Sequence, residues 1–228
     1  MEYANAAAES NHDIAVRCRG VTKTYGAGDA SVMALRGIDL DVRRGELLMV
    51  VGPSGCGKTT LISVIAGILD QDSGQCQVFG RDLKDMDQSA RAQFRGMSIG
   101  FVFQLFNLLP ALNAIENVSV PLLINGVARK NAEAHRDACR DAPFSVPLPR
   151  ALVHEPKLIV CDEPTSNLDH ATGRGMMELL RDVAKSPDRA LIIVTHDPRI
   201  FEFADRIARM DDGKIIEIVD SSNKERLQ

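Results

Sequence analysis

Four short segments of this chain are apolar at every position. Strands of a parallel sheet between two layers of helices have this composition, because neither face of the sheet meets water. We therefore predict a central, mostly parallel sheet flanked by helices. Its strands are expected at Leu47–Val51, Ile99–Phe103, Leu158–Cys161 and Ala190–Thr195.

Other segments alternate between apolar and polar residues, which is typical of half-buried antiparallel strands. They are Ile14–Arg19, Val32–Leu35, Ile38–Val42 and Gln75–Phe79. Near the end of the chain, Asp212 and Gly213 form a hairpin signal between the strand-like runs Ile207–Met210 and Lys214–Val219. An antiparallel β subdomain is therefore expected in the N-terminal part, beside the parallel sheet.

Helical periodicity is clearest in three segments: Thr60–Leu69, Ala111–Leu123 and Thr172–Lys185. Asp169 precedes the last of them and is a candidate N-cap. Helices alternating with strands predict an α/β fold, and 228 residues suffice for one nucleotide-binding domain with a helical insertion.

Composition and charge narrow the possible partners. With 27 basic and 31 acidic residues the net charge is −4, which argues against binding to a nucleic-acid backbone. No apolar run is long enough for a bilayer span, and residues 1–13 lack a secretory signal, so a cytosolic location is expected. The five cysteines contain no C-x-x-C pair, and metal or disulfide roles are not expected for them.

The segment from Gly52 to Thr59 matches the phosphate-binding pattern G-x-x-x-x-G-K-[ST] and lies between a predicted strand and a predicted helix. Backbone N–H groups of such a loop converge on an anion, and the helix that follows adds the positive end of its dipole. Lys58 is expected to reach the outer phosphates, and Thr59 to offer its hydroxyl to Mg²⁺. The predicted ATP-binding residues are Tyr25, Gly52, Ser54, Gly55, Cys56, Gly57, Lys58, Thr59 and Thr60.

Two adjacent carboxylates, Asp162 and Glu163, end the third apolar strand. Ligands of open α/β sheets gather at the carboxyl ends of the strands, so Asp162 is placed to hold Mg²⁺. Because side chains alternate along a strand, Glu163 should point elsewhere, and we interpret it as the general base.

Taken in order, these motifs resemble the ATP-binding subunits of ABC transporters from about Val16 to Val219. They comprise the phosphate loop, Phe103-Gln104, Asp162-Glu163-Pro164-Thr165, Ser166-Asn167-Leu168-Asp169 and Val194-Thr195-His196-Asp197. The residues after Gln104 and the triplet Glu116-Asn117-Val118 are similar to the branch that serves macrolide-exporter, lipoprotein-release and glycolipid-exporter machines.

The resemblance implies a fold of the P-loop NTPase type and roles for the matching residues. Tyr25 would stack on adenine, Gln104 would touch Mg²⁺ and the attacking water, and His196 would contact the γ-phosphate. Catalysis is thus expected from Glu163, His196 and Gln104, and metal binding from Thr59, Gln104 and Asp162. The implied partners are a separate integral membrane permease and a second ATP-binding subunit, which places the chain on the inner face of the cell membrane.

One family element is absent from the sequence. These proteins carry a Leu-Ser-Gly-Gly-Gln signature before the Asp-Glu pair, yet no glycine occurs between Gly126 and Gly173. The prolines Pro143, Pro147 and Pro149 are expected to forbid a continuous helix there. A deletion or reading-frame accident, a degenerate subunit paired with an intact one, and an unrelated loop with the same role are the three explanations; we favour the first.

Two functions follow. The first is an ATP-binding subunit that couples ATP binding and hydrolysis to export or extraction of a substrate by the permease. The alternative is a hydrolysis-impaired nucleotide-binding subunit or truncated product without the signature. The expected organisation is a tail at 1–13, an ATP-binding domain at 14–220 with a shortened helical insertion at about 105–150, and a second tail at 221–228.

Overall fold

Two β-sheets and the helices that cover them form the structure, a computed structural model that describes residues 13–104, 109–127 and 146–220. The first sheet is antiparallel and has the order β2-β1-β4-β5. Its strands are β1 (Ile14–Tyr25), β2 (Val32–Arg43), β4 (Ser73–Val78) and β5 (Arg81–Asp82). Strands β1 and β2 are longer than the sequence indicated. Their pairing contains register shifts along β1.

The second sheet is central and has the order β10-β9-β3-β8-β7-β6, in which only β10 runs antiparallel to its neighbour. Its strands are β3 (Leu47–Val51), β6 (Ile99–Val102), β7 (Leu158–Asp162), β8 (Ala190–Thr195), β9 (Arg206–Asp211) and β10 (Lys214–Asp220). Every residue of β3, β7 and β8 is buried. The prediction of a parallel sheet covered on both faces is confirmed.

Five α-helices lie in the described part of the chain: α1 (Lys58–Ile65), α2 (Gln88–Ser98), α3 (Ala114–Ile124), α4 (Pro147–Leu152) and α5 (His170–Ala184). Short 3-10 turns occupy Gly28–Ala30 and Pro198–Phe203. The core on one face of the central sheet includes α1 and the antiparallel sheet, and the core on the other face includes α5. This layering gives the P-loop NTPase fold that the family resemblance implied.

Helix boundaries differ from the predicted ones. Helix α1 starts two residues early and ends at Ile65, because the chain turns at Ala66 and Gly67, where Gly67 has a φ of 65°. Helix α3 starts at Ala114 rather than Ala111, since Asn113 and Glu116 form a capping box. Asp169 caps α5 as predicted, and its carboxylate accepts a hydrogen bond from the Thr172 N–H.

Helix α4 is a short helix that begins at one of the prolines, and whether a continuous helix precedes it falls outside the described residues. Pro147 is the first residue of the helix and Pro149 the third, so both lie in the first turn. N–H groups of a first turn have no partner inside the helix, and their absence costs little there. Leu148 is 1% exposed and packs into the core beside the central sheet.

Several predictions fall outside the described residues. They concern most of residues 1–13, all of 221–228, and much of the insertion expected at about 105–150, including Pro143 and Cys139. Within the described ranges, no helix is long and apolar enough to cross a membrane.

Candidate nucleotide-binding site

The phosphate loop joins β3 to α1 and is wedged between two elements of the fold. A Cβ on Gly52 would lie 2.0 Å from the Met210 carbonyl oxygen, and one on Gly57 would lie 2.4 Å from that of Ala34. Gly57, with a φ of 104°, is also the residue that precedes α1. Only glycine allows the loop to fit here, which is the physical reason for the sequence pattern.

Lys58 closes the loop on itself. Its ammonium donates hydrogen bonds to the carbonyl oxygens of Gly52 (2.8 Å) and Pro53 (2.7 Å). The residue is only 7% exposed, so its charge is weakly screened by water. The loop is therefore held in a curved conformation by its own cation.

Thr59 and Asp162 meet across the site, although 103 residues separate them. The Thr59 hydroxyl donates a hydrogen bond of 3.3 Å to Asp162 Oδ1. Burial raises the pKa of Asp162; the Thr59 hydrogen bond lowers this pKa, the charge of Glu163 raises it, and Lys58 lowers it. A buried carboxylate with a raised pKa is ready to accept a cation, because the cation offsets the lost hydration.

Glu163 and His196 form a contact that sequence reasoning did not anticipate. Oε1 of Glu163 lies 2.7 Å from Nδ1 of His196. Strand β7, which ends next to Glu163, pairs with β8, which ends next to His196, and the Glu163 N–H donates to the Val194 carbonyl (2.9 Å). Glu163 has a φ of 48°, which is uncommon for a residue with a side chain and turns it away from the strand direction.

A cavity of about 310 Å³ collects most of the predicted site residues. Its lining includes Ser54, Gly55, Gly57, Lys58, Thr59, Thr60, Gln104, Asp162, Glu163 and His196. Ala34 and Val194 also line it, and neither carried a signal in the sequence.

Three predicted residues do not line this cavity. Gly52 packs against the Met210 backbone, and Cys56 is 6% exposed with its Sγ 3.8 Å from the Lys58 ammonium. Tyr25 lies nearby, 43% exposed, with its hydroxyl 3.4 Å from that of Thr60. The structure thus places Tyr25 beside the phosphate loop, on the antiparallel sheet.

The turn between β9 and β10 connects the phosphate loop to the antiparallel sheet. The Gly213 N–H donates to the Cys56 carbonyl (3.0 Å), and the Gly213 carbonyl accepts from the Arg36 N–H (2.8 Å). One residue of the hairpin turn therefore bonds both the loop and strand β2 through main-chain atoms.

A second, largely apolar groove lies where β6 meets α3 and α4, with a volume of about 330 Å³. Phe101 and Phe103 line one part of it, with ring centroids 4.2 Å apart. Leu109 and Ile124 line another part and are 47% and 73% exposed. An exposed apolar surface of this kind is typical of a protein interaction site.

Comparison with known proteins agrees with this geometry. Residues 35–143 match the ABC transporter family model. The chain is 38% identical over 226 residues to the lipoprotein-releasing system ATP-binding protein LolD of Chromohalobacter salexigens, covering 91% of this chain and 95% of the relative. It is 37% identical to the LolD protein of Pseudomonas syringae pv. tomato, with 88% and 96% covered.

Solved structures lead to the same family. The dimeric ATP-binding cassette MJ0796 bound to ADP and Pi superimposes with a TM-score of 0.84 at 30% identity, covering 90% of this chain and 98% of that one. CbiO1 of Clostridium perfringens, part of an ABC transporter complex, gives a TM-score of 0.80 at 27% identity, with 94% and 91% covered. From the identity to its relatives and the shared fold, we conclude that this chain belongs to the ABC transporter family, as one of its ATP-binding subunits.

Proposed function

We propose that this chain binds Mg-ATP in the 310 Å³ cavity and drives a separate membrane permease that releases lipoproteins from a membrane. The observation that carries the proposal is that Lys58, the pair Thr59–Asp162 and the pair Glu163–His196 face one cavity, although they come from distant parts of the chain. The relatives named for lipoprotein release supply the substrate class.

Each phosphate-facing group has a defined part in this proposal. Lys58 exchanges its two carbonyl partners for phosphate oxygens, and the N–H groups of the loop and of α1 bind the same anion. Tyr25, the last residue of strand β1, stacks on the base. The Lys58 ammonium thus provides a positive group for the phosphates, and the Tyr25 ring provides a polarisable surface for the base.

The residues present suit a magnesium ion. The hydroxyl of Thr59 and the carboxylate of Asp162 are the hard oxygen donors that Mg²⁺ prefers, and they already lie 3.3 Å apart. Gln104 adds an amide oxygen from the same cavity wall. When bound, the ion would supply positive charge to the terminal phosphates.

Glu163 accepts a proton from the attacking water in this proposal. Its carboxylate is held by His196, so the hydrogen bond fixes which oxygen faces the water. The φ of 48° aims the residue away from Asp162, which separates the base from the metal ligand.

The apolar groove is the docking site that we assign to the permease, through an apolar cytoplasmic helix. Arg150 and His154 lie in the same lining, and Nε2 of His154 is 3.2 Å from the Ile99 carbonyl oxygen. The chain would thereby lie on the inner face of the membrane as a peripheral subunit. A second ATP-binding subunit, as in the dimeric neighbour structure, completes the assembly.

Residues 128–145 lie outside the described part, so the absence of the signature is read from the sequence. The high coverage of the relatives favours the transporter subunit over the alternative of a subunit impaired in hydrolysis. Since the sequence lacks Leu-Ser-Gly-Gly-Gln, we expect turnover to require a partner subunit that carries it.

The decisive experiment reconstitutes the chain in vesicles with its permease, a partner ATP-binding subunit that carries the signature, and a labelled lipoprotein. ATP-dependent release of the lipoprotein is expected. With Glu163→Gln, nucleotide affinity should stay within about threefold while hydrolysis and release are lost, because the variant keeps the shape and loses the base. Release that persists at the native rate in this variant would refute the role of Glu163, and no nucleotide binding by the native chain would refute the site.

A further inference from the structure

Cys18 and Cys76 meet in the antiparallel sheet, although 58 residues separate them along the chain. They lie directly opposite each other on strands β1 and β4. The Cys18 thiol donates a weak hydrogen bond to Cys76 Sγ, and the two sulfurs are 3.7 Å apart. The residues are 0% and 4% exposed, and neither lines the nucleotide cavity. No spacing in the sequence indicated this pair, because it arises from the pairing of the two strands.

Strand pairing gives the two cysteines the backbone spacing that a disulfide needs. Opposite residues of antiparallel strands have Cα atoms about 4.5–5.5 Å apart, and disulfides join Cα atoms that are about 4.4–6.8 Å apart. Bond formation would bring the sulfurs from 3.7 Å to about 2.05 Å, which requires rotation of the side chains and no change of strand register.

Packing alone does not require two thiols at this place. The next pair on the same face of the two strands is Val16 and Val78, and both valines are fully buried. Apolar side chains therefore fill the equivalent place one step along the sheet. The pair of Cys18 and Cys76 adds what valines lack, two sulfur atoms that can bond to each other.

Strand β4 offers a route by which a small oxidant can reach the buried pair. On the side away from β1, the described part of β4 pairs only with the two-residue strand β5, through Gln77 and Val78. The preceding residues, Ser73–Gln75, are exposed. Opening of this short segment breaks few contacts and uncovers Cys76. The hydrogen bond to Cys76 and burial hold the pKa of the Cys18 thiol well above its ordinary value, so the reaction is expected to begin at Cys76.

We propose that Cys18 and Cys76 are a redox modification site, at which a hydroperoxide forms a reversible disulfide. The Cys76 thiolate attacks one oxygen of the hydroperoxide, the O–O bond breaks, and the other oxygen leaves as water or alcohol with the proton of that thiol. Cys18 then attacks the sulfur of the resulting sulfenic acid, the S–S bond forms, and the S–O bond breaks to release water with the Cys18 proton. The two thiols lose two electrons, which reduce the hydroperoxide.

The disulfide would close a covalent loop around the segment that carries the phosphate site. The residues between Cys18 and Cys76 include the phosphate loop from Gly52 to Thr59 and helix α1. A cross-link across such a long loop stabilises a protein chiefly by restricting the unfolded chain. Oxidation is therefore expected to protect this part of the fold against unfolding. In a reducing compartment the bond would be transient, since thiols reverse it.

Peptide mapping of the full chain tests the proposal. The native protein is treated overnight with hydrogen peroxide, the remaining thiols are alkylated, and the digest is analysed by mass spectrometry with and without dithiothreitol. We expect two peptides joined through Cys18 and Cys76, which dithiothreitol separates. The Tm of the oxidised chain should rise by about 4 °C or more, and dithiothreitol should reverse the rise.

Cysteine variants separate this pair from the other thiols. Cys18→Ala and Cys76→Ala should each abolish the joined peptides and the rise in Tm. Cys161→Ala is the matched control, because Cys161 is also 0% exposed but lies opposite Val102 and Ile193 on its neighbouring strands. This variant should keep both the joined peptides and the rise.

Two results would overturn the inference. One is a native chain in which no peptides joined through Cys18 and Cys76 appear after oxidation. The other is a rise in Tm that persists in either alanine variant, or a joined pair that leaves the Tm of the native chain unchanged. If one alanine variant does not fold, the other serves in its place, and mapping of the native chain needs neither.

Discussion

Replacing Lys58 by alanine is the most direct test of the phosphate site. In the free protein the ammonium donates to two carbonyl oxygens, at 2.8 and 2.7 Å, and under the proposed function it would exchange them for phosphate oxygens in the complex. The loss in affinity is therefore the difference between the two sets of partners, not the whole strength of the new contacts.

The magnitude follows from the charge of the new partner. A hydrogen bond that involves a charged group contributes about 1.5–3 kcal/mol, and we take one such increment as the excess of phosphate over carbonyl. Since Lys58 is 7% exposed, little of this is lost to screening. At 1.4 kcal/mol for each factor of ten, the variant should bind Mg-ATP about 10- to 150-fold more weakly.

Titration calorimetry with Mg-ATP measures the change, and Lys84→Ala serves as the control. Lys84 also donates to a backbone carbonyl, that of Gln71 (3.0 Å), but does not line the cavity. Its variant should bind within about twofold of the native chain. A Lys58→Ala variant with affinity inside the same twofold range would refute the assignment of the phosphate site.

Three further predictions concern a buried acid, a crowded glycine and the missing signature. Because burial raises the pKa of Asp162, the free protein should lose stability as pH rises through that pKa, and Asp162→Asn should remove this decline in thermal melts across pH. The same variant should lose the gain in nucleotide affinity on adding Mg²⁺, which calorimetry measures. Gly100→Ala places a Cβ 2.2 Å from the carbonyl oxygen of Ala151 and should cost about 1–3 kcal/mol in urea unfolding, whereas Gly173→Ala, with no contact under 3.6 Å, should be neutral or stabilising; equal losses would contradict the packing argument. Restoring Leu-Ser-Gly-Gly-Gln and its helix before Arg150 should raise the rate of ATP hydrolysis about 10²- to 10³-fold with unchanged binding, and a native chain that already turns over at the restored rate would disprove the need for it.

The strands of the central sheet and the phosphate loop were predictable because their signals are local. Leu47–Val51 is apolar at every position, and Gly52 and Gly57 mark where the backbone must approach other strands. Helix α2 was missed, since none of its residues is buried and most of them are polar. Its one clear signal was the N-cap Asp87, which accepts from the Ala90 N–H (2.9 Å).

Contacts between elements could not be predicted, because they depend on the order of strands in the sheet. Glu163 and His196 meet only because β7 and β8 are neighbours, and that order is not written in either segment. Gln104 presents the same limit, as its place in the cavity wall follows from β6 lying next to β7. Residue types predicted the chemistry of each group, and topology decided which groups share a site.

The hairpin turn at Gly213 acts as a spacer of fixed length between the antiparallel sheet, which carries Tyr25, and the phosphate loop. Its bonds to Cys56 and Arg36 use main-chain atoms, and the carboxylate of Asp212 in the same turn adds an ion pair of 3.1 Å with the Arg36 side chain. Gly213 itself is constrained, with a φ of 75° and a Cβ position 2.9 Å from the Ala34 oxygen. The backbone of this one turn therefore sets how far the antiparallel sheet lies from the phosphate loop.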